Sequence, residues 1–237
     1  MKIALNKDNL EEQIFEFRAI AEKITAVATK YSLSIKPFHS PDLPLYSALP
    51  EQKRAEALQQ IKIFLNIMEG AEASHRRLDD DERFTWFALS SLDLIPPPDL
   101  FAKIKPGTVI EIYDLNSFQI WRNFGFFKYC SYTLEEIYCV EWFHRYKRSE
   151  ESLQMCLKYL EGILSGQLPD IAPMEIPLYS MEETSSEGRL CIRMDHGIIC
   201  RLKNRQGEAV AYLVTADGEI LSKGQVSDKA SLSLIKS

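Results

Sequence analysis

The sequence predicts an α+β protein in which a helical N-terminal region precedes a five-stranded antiparallel sheet flanked by short helices. Up to about residue 97, apolar residues recur every three or four positions, as they do on a helix with one buried face. Beyond residue 105 the pattern changes to short runs of β-branched and aromatic residues separated by turn residues. Two such runs precede several helical segments and three follow them, an order typical of α+β folds with an antiparallel sheet.

The composition is that of a globular protein and argues against several classes of function. The chain has 237 residues, of which 46% are hydrophobic and 26% charged, and its net charge is −6. The basic residues are scattered, whereas binding to duplex nucleic acid needs a concentrated basic face. No apolar run approaches the roughly 18 residues of a membrane helix, and the N-terminal residues turn acidic too soon for a signal peptide. A cytoplasmic location is therefore expected.

The cysteines are five in number, and their spacing indicates neither a disulfide framework nor a zinc site. They include no C-x-x-C pair and no histidine at metal-ligand spacing. We expect reduced, mostly buried thiols at Cys130, Cys139, Cys156, Cys191 and Cys200.

The helical region, residues 1–97, begins with a helix that carries a three-heptad apolar seam. The seam consists of Leu10, Ile14, Phe17, Ala21, Ile24, Ala28 and Tyr31. Two outcomes fit this pattern, because the seam can pair with a second copy of itself or dock on the helices that follow. We favour docking, since most amphipathic stripes belong to a core.

Two further helices are expected after a proline-rich connector, "SIKPFHSPDLPLYSALP". The second helix begins around Pro50, and its apolar face is formed by Leu58, Ile61, Leu65 and Met68. The acidic run at residues 79–82 opens the third helix, where contiguous carboxylates cap the helix and complement its dipole better than they converge on a metal ion. The stiff segment "LIPPPDL" then marks a domain boundary near residue 97.

The second domain, residues 105–221, opens with "VIEIYDLNSFQIW", which has the pattern of a β-hairpin. A helix begins after Ser149 and ends at Gly166, with an apolar stripe of leucines. The runs "GRLCIRM", "GIICRLK" and "EAVAYLV" are predicted strands, divided by turns at residues 195–197 and 204–207. A further turn is predicted at residues 217–218, and residues 222–237 form a C-terminal tail.

This order and its turn residues resemble the PAS family of sensory and interaction modules over about residues 105–216. The resemblance rests on Asn123 after the second strand, on Phe126 and Phe127, and on "SYTLEEI", in which Ser131 stands where the family has Gly. It continues in "RMDHGIICRL", which looks like the Asp-Gly hairpin of the family, and in "NRQGEAVAYLV". The resemblance implies a sheet domain that holds a small molecule between sheet and helices, or that serves as a protein interaction surface.

The resemblance also provides tests for cofactors, and none of them identifies one. Photoactive flavin members carry an Asn-Cys-Arg-Phe segment, whereas this chain has "YCVEWFHRYKR" in that region. Haem members need an axial histidine on the helix before the closing strands, and residues 150–165 contain none. His144 precedes that helix and is the nearest candidate. The cofactor is therefore left unassigned.

The candidate ligand pocket is assigned to residues on the first strands, the central segment and the closing sheet. Trp121 and Arg122 face opposite sides of their strand, and an inward Arg122 would favour an anionic ligand. Cys130 is expected to be an inert thiol, because no neighbouring base is indicated. The predicted pocket residues are Ile112, Ile120, Arg122, Asn123, Phe127, Tyr132, Trp142, His144 and Ile192.

These patterns predict a non-enzymatic sensory or protein-interaction protein whose helical region relays the signal. No catalytic motif is present, and about 23 residues after Val214 are too few for an output domain. The expected partners are another protein or a second copy of this chain, together with a small-molecule ligand; nucleic acid and membranes are not expected. The alternative is a transcription regulator that contacts DNA through Lys53, Arg54, Lys62, Arg76 and Arg77.

Overall fold

A computed structural model describes residues 7–184 and 190–223 and confirms the α+β class. The helices in this part of the chain are α1 (Lys7–Lys30), α2 (Pro44–Ala48), α3 (Glu51–Ala73), α4 (Asp81–Ser91), α5 (Leu100–Lys103), α6 (Leu134–Cys139), α7 (Trp142–Arg145) and α8 (Glu150–Ser165). The strands are β1 (Val109–Asp114), β2 (Gln119–Arg122), β3 (Tyr146–Lys147), β4 (Ile171–Pro173), β5 (Tyr179–Glu183), β6 (Leu190–Lys203) and β7 (Ala209–Lys223).

The strands form one antiparallel sheet, curled like half a barrel, in the order β2-β1-β7-β6-β5-β3. The short strand β4 also pairs with β6, beyond the end of β5. The sheet of the described residues thus has seven strands rather than the five predicted. The predicted β1–β2 hairpin is confirmed, and the carboxylate of Asp114 stabilises its turn by accepting from the amides of Asn116 and Phe118.

The predicted turn at residues 195–197 is wrong, because this segment lies inside the long strand β6. The register between β6 and β7 shifts between His196 and Ile199, so the Asp-His-Gly sequence forms a bulge instead of a hairpin. Gly197 packs so closely on β7 that an added Cβ would lie 2.5 Å from Oγ1 of Thr215. The predicted turn at residues 217–218 is also wrong, since both residues pair with β6 inside β7.

Strands β3, β4 and β5 are the additional strands. β4 lies in the segment predicted as a proline-bounded loop, and its Pro173 is tolerated because β4 pairs with only one neighbour. The preceding Asp170 fixes the strand to β6, since its carboxylate accepts from Arg201 at 2.8 Å and pairs with Lys203 at 2.5 Å. Sequence patterns of two to five residues are too short to predict such strands.

The helix ends follow the predicted capping residues. Asp80 caps α4 by accepting from the amide of Arg83, and Ser149 caps α8 by accepting from the amide of Ser152. Gly166 ends α8 with a left-handed backbone, φ 80°. Thr133 and Glu136 form a reciprocal capping box at the start of α6, which explains the Thr and Glu of "SYTLEEI".

The helical region packs on one face of the sheet. The α1 seam docks inside the chain, because Phe17, Ala21, Ile24 and Ala28 are buried in the core shared with α3, and Ile14 and Tyr31 pack against that core. Phe84 of α4 meets Trp121 of β2 edge-on, with ring centroids 5.1 Å apart. The predicted face of α3 is likewise buried. The helices and the sheet therefore share one continuous core.

Helix α8 belongs to a second, smaller core on the sheet, which contains Tyr113, Ile163, Met174, Ile199 and Tyr212. No helix within residues 7–184 and 190–223 has the length and apolar character needed to cross a bilayer. Of the predicted tail, residues 222 and 223 belong to β7, and the rest lies outside the described residues.

Candidate functional site

A cavity of about 100 Å³ lies between the sheet and the segment that runs from α7 through α8; we call it the sheet cavity. Its volume is several times the roughly 15 Å³ that one water molecule needs. Strands β1, β5, β6 and β7 form its base, and Leu157, which is 40% exposed, lies at its rim. The lining includes Val109, Glu111, Tyr113, Phe126, Tyr129, Trp142, Arg145, Tyr146, Arg148, Cys156, Leu160, Met174, Tyr179, Met181, Met194, His196, Ile199, Tyr212, Val214 and Ala216.

Strand alternation decides which residues of β1 reach the sheet cavity. Glu111 and Tyr113 line it, whereas Ile112 between them pairs with Trp121 and is buried in the core shared with the helices. The prediction that Ile112 lines the pocket is therefore corrected: the pocket-facing positions of β1 are the odd-numbered ones.

A buried polar chain crosses the base of the sheet cavity. Arg145, only 2% exposed, donates to the side-chain oxygen of Gln119 at 3.0 Å and to the carbonyl of Ile137 at 3.4 Å. Gln119 in turn donates to the carboxylate of Glu111. Burial raises the pKa of Glu111, and the charges of Arg145 and Arg122 oppose that rise. One guanidinium and one carboxylate are thus joined through an amide.

A second polar group joins α8, β5 and β6 across the sheet cavity. The hydroxyl of Tyr179 lies 2.9 Å from Nε2 of His196, and the rings are stacked with centroids 5.7 Å apart. The thiol of Cys156 lies 3.9 Å from the same Nε2 and 4.0 Å from the Tyr179 hydroxyl. These three side chains meet although they are distant in sequence.

The ionisation states in this group follow from burial. Burial, aided by the nearby charge of Arg148, lowers the pKa of His196 to about 4, so the imidazole is neutral at pH 7. Burial also raises the pKa values of Tyr179 and Cys156, which keeps both protonated. The neutral imidazole and the Tyr179 hydroxyl therefore share one hydrogen bond through Nε2.

Three residues lining the sheet cavity have buried N–H groups that find no hydrogen-bond acceptor among the described residues. These groups are Nε1 of Trp142, Nε of Arg145 and Nε of Arg148, and the ring nitrogen Nδ1 of His196 likewise has no partner there. Arg148 lies over the indole ring of Trp142, 5.0 Å from its centroid, which supports its charge without providing an acceptor for its Nε–H. The three N–H groups are donors, and no side-chain oxygen lining the cavity is without a partner among the described residues.

Arg122 lies beneath the sheet cavity without lining it. It faces the same side of the sheet as Glu111, its partner across the hairpin, and is 1% exposed. Its guanidinium lies between the rings of Phe126 and Tyr138, 5.1 and 5.0 Å from their centroids. Burial lowers its pKa. The guanidinium thus points inward, as an anion-binding role would require, but it packs on these two rings and does not line the cavity.

Asn123 has a different position from the one predicted, because all its side-chain bonds fasten the fold. Its Oδ1 accepts from the amides of Ile110 and Phe126, and its Nδ2 donates to the carbonyl of Thr108 and to Asp81. The side chain thereby ties the end of the hairpin to the start of α4, and it does not line the sheet cavity.

The other predicted residues divide between core, surface and cavity. Trp142 lines the sheet cavity, with its ring edge-on to Tyr113. His144, whose side chain is 68% exposed, lies instead in a separate groove between α3 and residues 137–145. The remaining four pack into the larger core or fasten it, and do not line the cavity: Ile120, Phe127, Tyr132 and Ile192.

Some of the residues that line the sheet cavity are absent from the predicted pocket although the sequence contains a signal for them. A glutamate in the middle of the apolar run "VIEIY" suggests a polar task inside the fold, and this is the position of Glu111. The sequence predicts a turn at His196, so its pocket position depends on recognising the bulge. Arg145, Arg148 and Cys156 reach the cavity through tertiary packing that no local pattern encodes.

The reactive alternatives are weak in this structure. Burial and the charge of Glu183 raise the pKa of Cys130 to about 12, so its thiol stays protonated and is a poor nucleophile. In the acidic run, Asp79 pairs with Arg77, Asp80 caps α4, and Asp81 accepts from Asn123. No three potential metal ligands converge within residues 7–184 and 190–223.

Comparison of the sequence with protein-family models gave no match, and comparison with curated proteins gave no significant relative. The assignment of a function therefore depends on the geometry of the sheet cavity.

Proposed function

We propose that this protein is a non-enzymatic sensor that binds a small molecule in the sheet cavity. The observation that carries the proposal is a largely apolar cavity into which a few polar side chains from different elements converge, including Glu111, Arg145, Arg148 and His196. Such a combination is the usual composition of a small-molecule site. Apolar walls supply affinity, and the few polar groups select the ligand.

The resemblance to PAS modules supports the same function. Two strands precede the short helices, and the longest strands follow them, as the resemblance implies. The cavity lies between sheet and helices, where ligand-binding members of that family hold their ligands. The sheet differs by its additional short strands and by the bulge in β6.

The position of the helices provides a route for the signal. The residues of β1 alternate between the two faces, so Glu111 and Tyr113 line the cavity while Ile112 contacts the core beneath the helices. A ligand that shifts β1 or β2 would move Trp121 against Phe84 of α4. The helical region would then present a changed surface to another protein.

The DNA-binding alternative receives little support from the described residues. Arg54 is buried and donates to the carbonyl of Leu49, Lys62 pairs with Glu16, and Arg77 pairs with Asp79. Basic side chains held by internal partners are poor phosphate ligands. We therefore do not advance this function.

The test is extraction of bound molecules after purification. We expect mass spectrometry of the denatured wild-type protein to reveal a small molecule in near-stoichiometric amount. A cavity-filling variant, Val214→Trp, should lose it, whereas Leu221→Trp on the exposed part of the same strand should retain it. The proposal fails if the wild type releases nothing and no compound of a metabolite library raises its melting temperature.

A further inference from the structure

We infer that the ligand of the sheet cavity is a small organic acid, with an apolar body and a carboxylate recognised by Arg145, Arg148 and the neighbouring N–H donors. This inference rests on the proposed function, since it assigns the ligand of the same cavity.

The hydrogen-bonding groups of the sheet cavity favour a ligand that is rich in acceptors. Three cavity-lining residues, Trp142, Arg145 and Arg148, have buried N–H groups without an acceptor among the described residues. A buried donor without a partner is destabilising, so the site would be stabilised by a ligand rich in acceptors. Side chains at binding sites commonly change rotamer when a ligand binds. Modest movements of this kind would bring the N–H donors to the acceptors of the ligand.

The charged side chains that line the sheet cavity favour an anionic ligand. Two guanidiniums line the sheet cavity, whereas Glu111 is the only carboxylate among the described residues that line it. That carboxylate already accepts from Gln119. Because buried guanidinium groups need an anionic partner, the excess positive charge calls for an anion. A carboxylate matches the planar guanidinium and accepts from several donors at once.

The apolar side chains that line the sheet cavity define the part of the ligand that is not its carboxylate. Three methionines, Met174, Met181 and Met194, line the sheet cavity together with leucines and aromatic rings. Methionine side chains adapt to irregular apolar shapes, so these walls suit a hydrocarbon or ring system and not a sugar or nucleotide. The volume of about 100 Å³ limits that body to one ring or a short chain. An inorganic anion would leave these walls unfilled.

The test compares acids with uncharged amides of the same shape. Benzoate and hexanoate, with benzamide and hexanamide as controls, are titrated into the wild-type protein by calorimetry. We expect at least one acid to bind at least 10-fold more tightly than its amide. Arg148→Met should abolish this preference, while Arg148→Lys retains part of it. Arg193→Met is the matched control, because Arg193 is exposed and pairs with Glu219 away from the cavity.

Each outcome decides the inference. An amide that binds as well as its acid, or a preference that survives in folded Arg148→Met, would overturn the acid assignment while leaving a ligand-binding sensor in place. If none of the four compounds binds, the molecule extracted from the wild type decides: an acid supports the inference, and a neutral or cationic molecule refutes it. If nothing binds and nothing is extracted, the acid assignment and the proposed function fail together.

Discussion

His196 shows how one partly buried side chain links the bulge in β6 to the sheet cavity. In a regular strand the Asp-His-Gly segment would continue the alternation of its neighbours, but the extra residue of the bulge changes the direction of the side chains that follow. The imidazole meets the Tyr179 hydroxyl at 2.9 Å and remains neutral, because burial penalises its charged form. The stability of the fold therefore depends on the protonation of this residue.

We predict that His196 makes the protein acid-sensitive between about pH 6.5 and pH 4. Its pKa is about 4 in the folded protein, against 6.5 for an ordinary histidine, so the unfolded chain binds the proton first as the pH falls. The contribution of neutral His196 to the free energy of unfolding is fully present above pH 6.5 and is lost as the pH falls toward 4. Between pH 7.5 and 5, the wild type should lose about 2 kcal/mol more free energy of unfolding than His196→Gln.

Urea denaturation at both pH values measures this difference. His144→Gln is the control, because it also removes a histidine, from a largely exposed position outside the sheet cavity. If His196→Gln lost as much stability on acidification as the wild type, the imidazole would already be charged in the folded protein.

The pairing of β6 with β7 determines the shape of the sheet, and the bulge in β6 contains a close contact. Gly197 leaves room for the hydroxyl of Thr215, which accepts from the amide of Ile198 at 3.0 Å. That bond satisfies a buried amide at the irregular part of the ladder. The bulge therefore requires both a glycine and a hydroxyl across from it.

We predict that Gly197→Ala destabilises the protein by about 1–3 kcal/mol, because the new Cβ would lie 2.5 Å from Oγ1 of Thr215. In a Thr215→Ala background the obstacle is absent, so the same substitution should cost less. A double-mutant cycle measured by chemical denaturation gives the coupling. Additive effects of the two substitutions would show that the close contact does not limit the bulge.

The elements that the sequence predicted well are those with long periodic patterns or capping residues. The seams of α1 and α3, the cap at Ser149 and the stop at Gly166 depend on neighbours within one or two turns. The short strands and the bulge depend on partners far along the chain, and an Asp-His-Gly segment is compatible with either a turn or a bulge. Among the predicted pocket residues, Trp142 lines the cavity, while Ile112 was misplaced because alternation alone does not tell which face is which.

The helical region and the sheet are connected by hydrogen bonds as well as by side-chain packing. The carboxylate of Glu135 on α6 accepts from the amides of Leu45 and Tyr46 at the start of α2, at 2.8 and 3.1 Å. His39 of the connector lies 3.2 Å from Glu136. The Glu-Glu pair of "SYTLEEI" thus joins the two parts of the chain, and a change at the sheet has a rigid connection to the helices.

The two faces of α1 allow docking of the seam and dimerisation to be tested separately. Ile24 is fully buried, whereas Phe15 on the same helix is 72% exposed. Ile24→Glu would bury a charge without a partner and should lower the free energy of unfolding by about 3–5 kcal/mol without changing the oligomeric state. Phe15→Glu, the matched control, should stay within about 0.5 kcal/mol of the wild type.

Light scattering and urea denaturation of both variants decide the matter. If Phe15→Glu converts a dimer into a folded monomer, the outer face of α1 is an interface between copies, and the docked seam is its scaffold. A stable Ile24→Glu variant would contradict the docking of the seam, since a charge at a buried site is tolerated only where water reaches it.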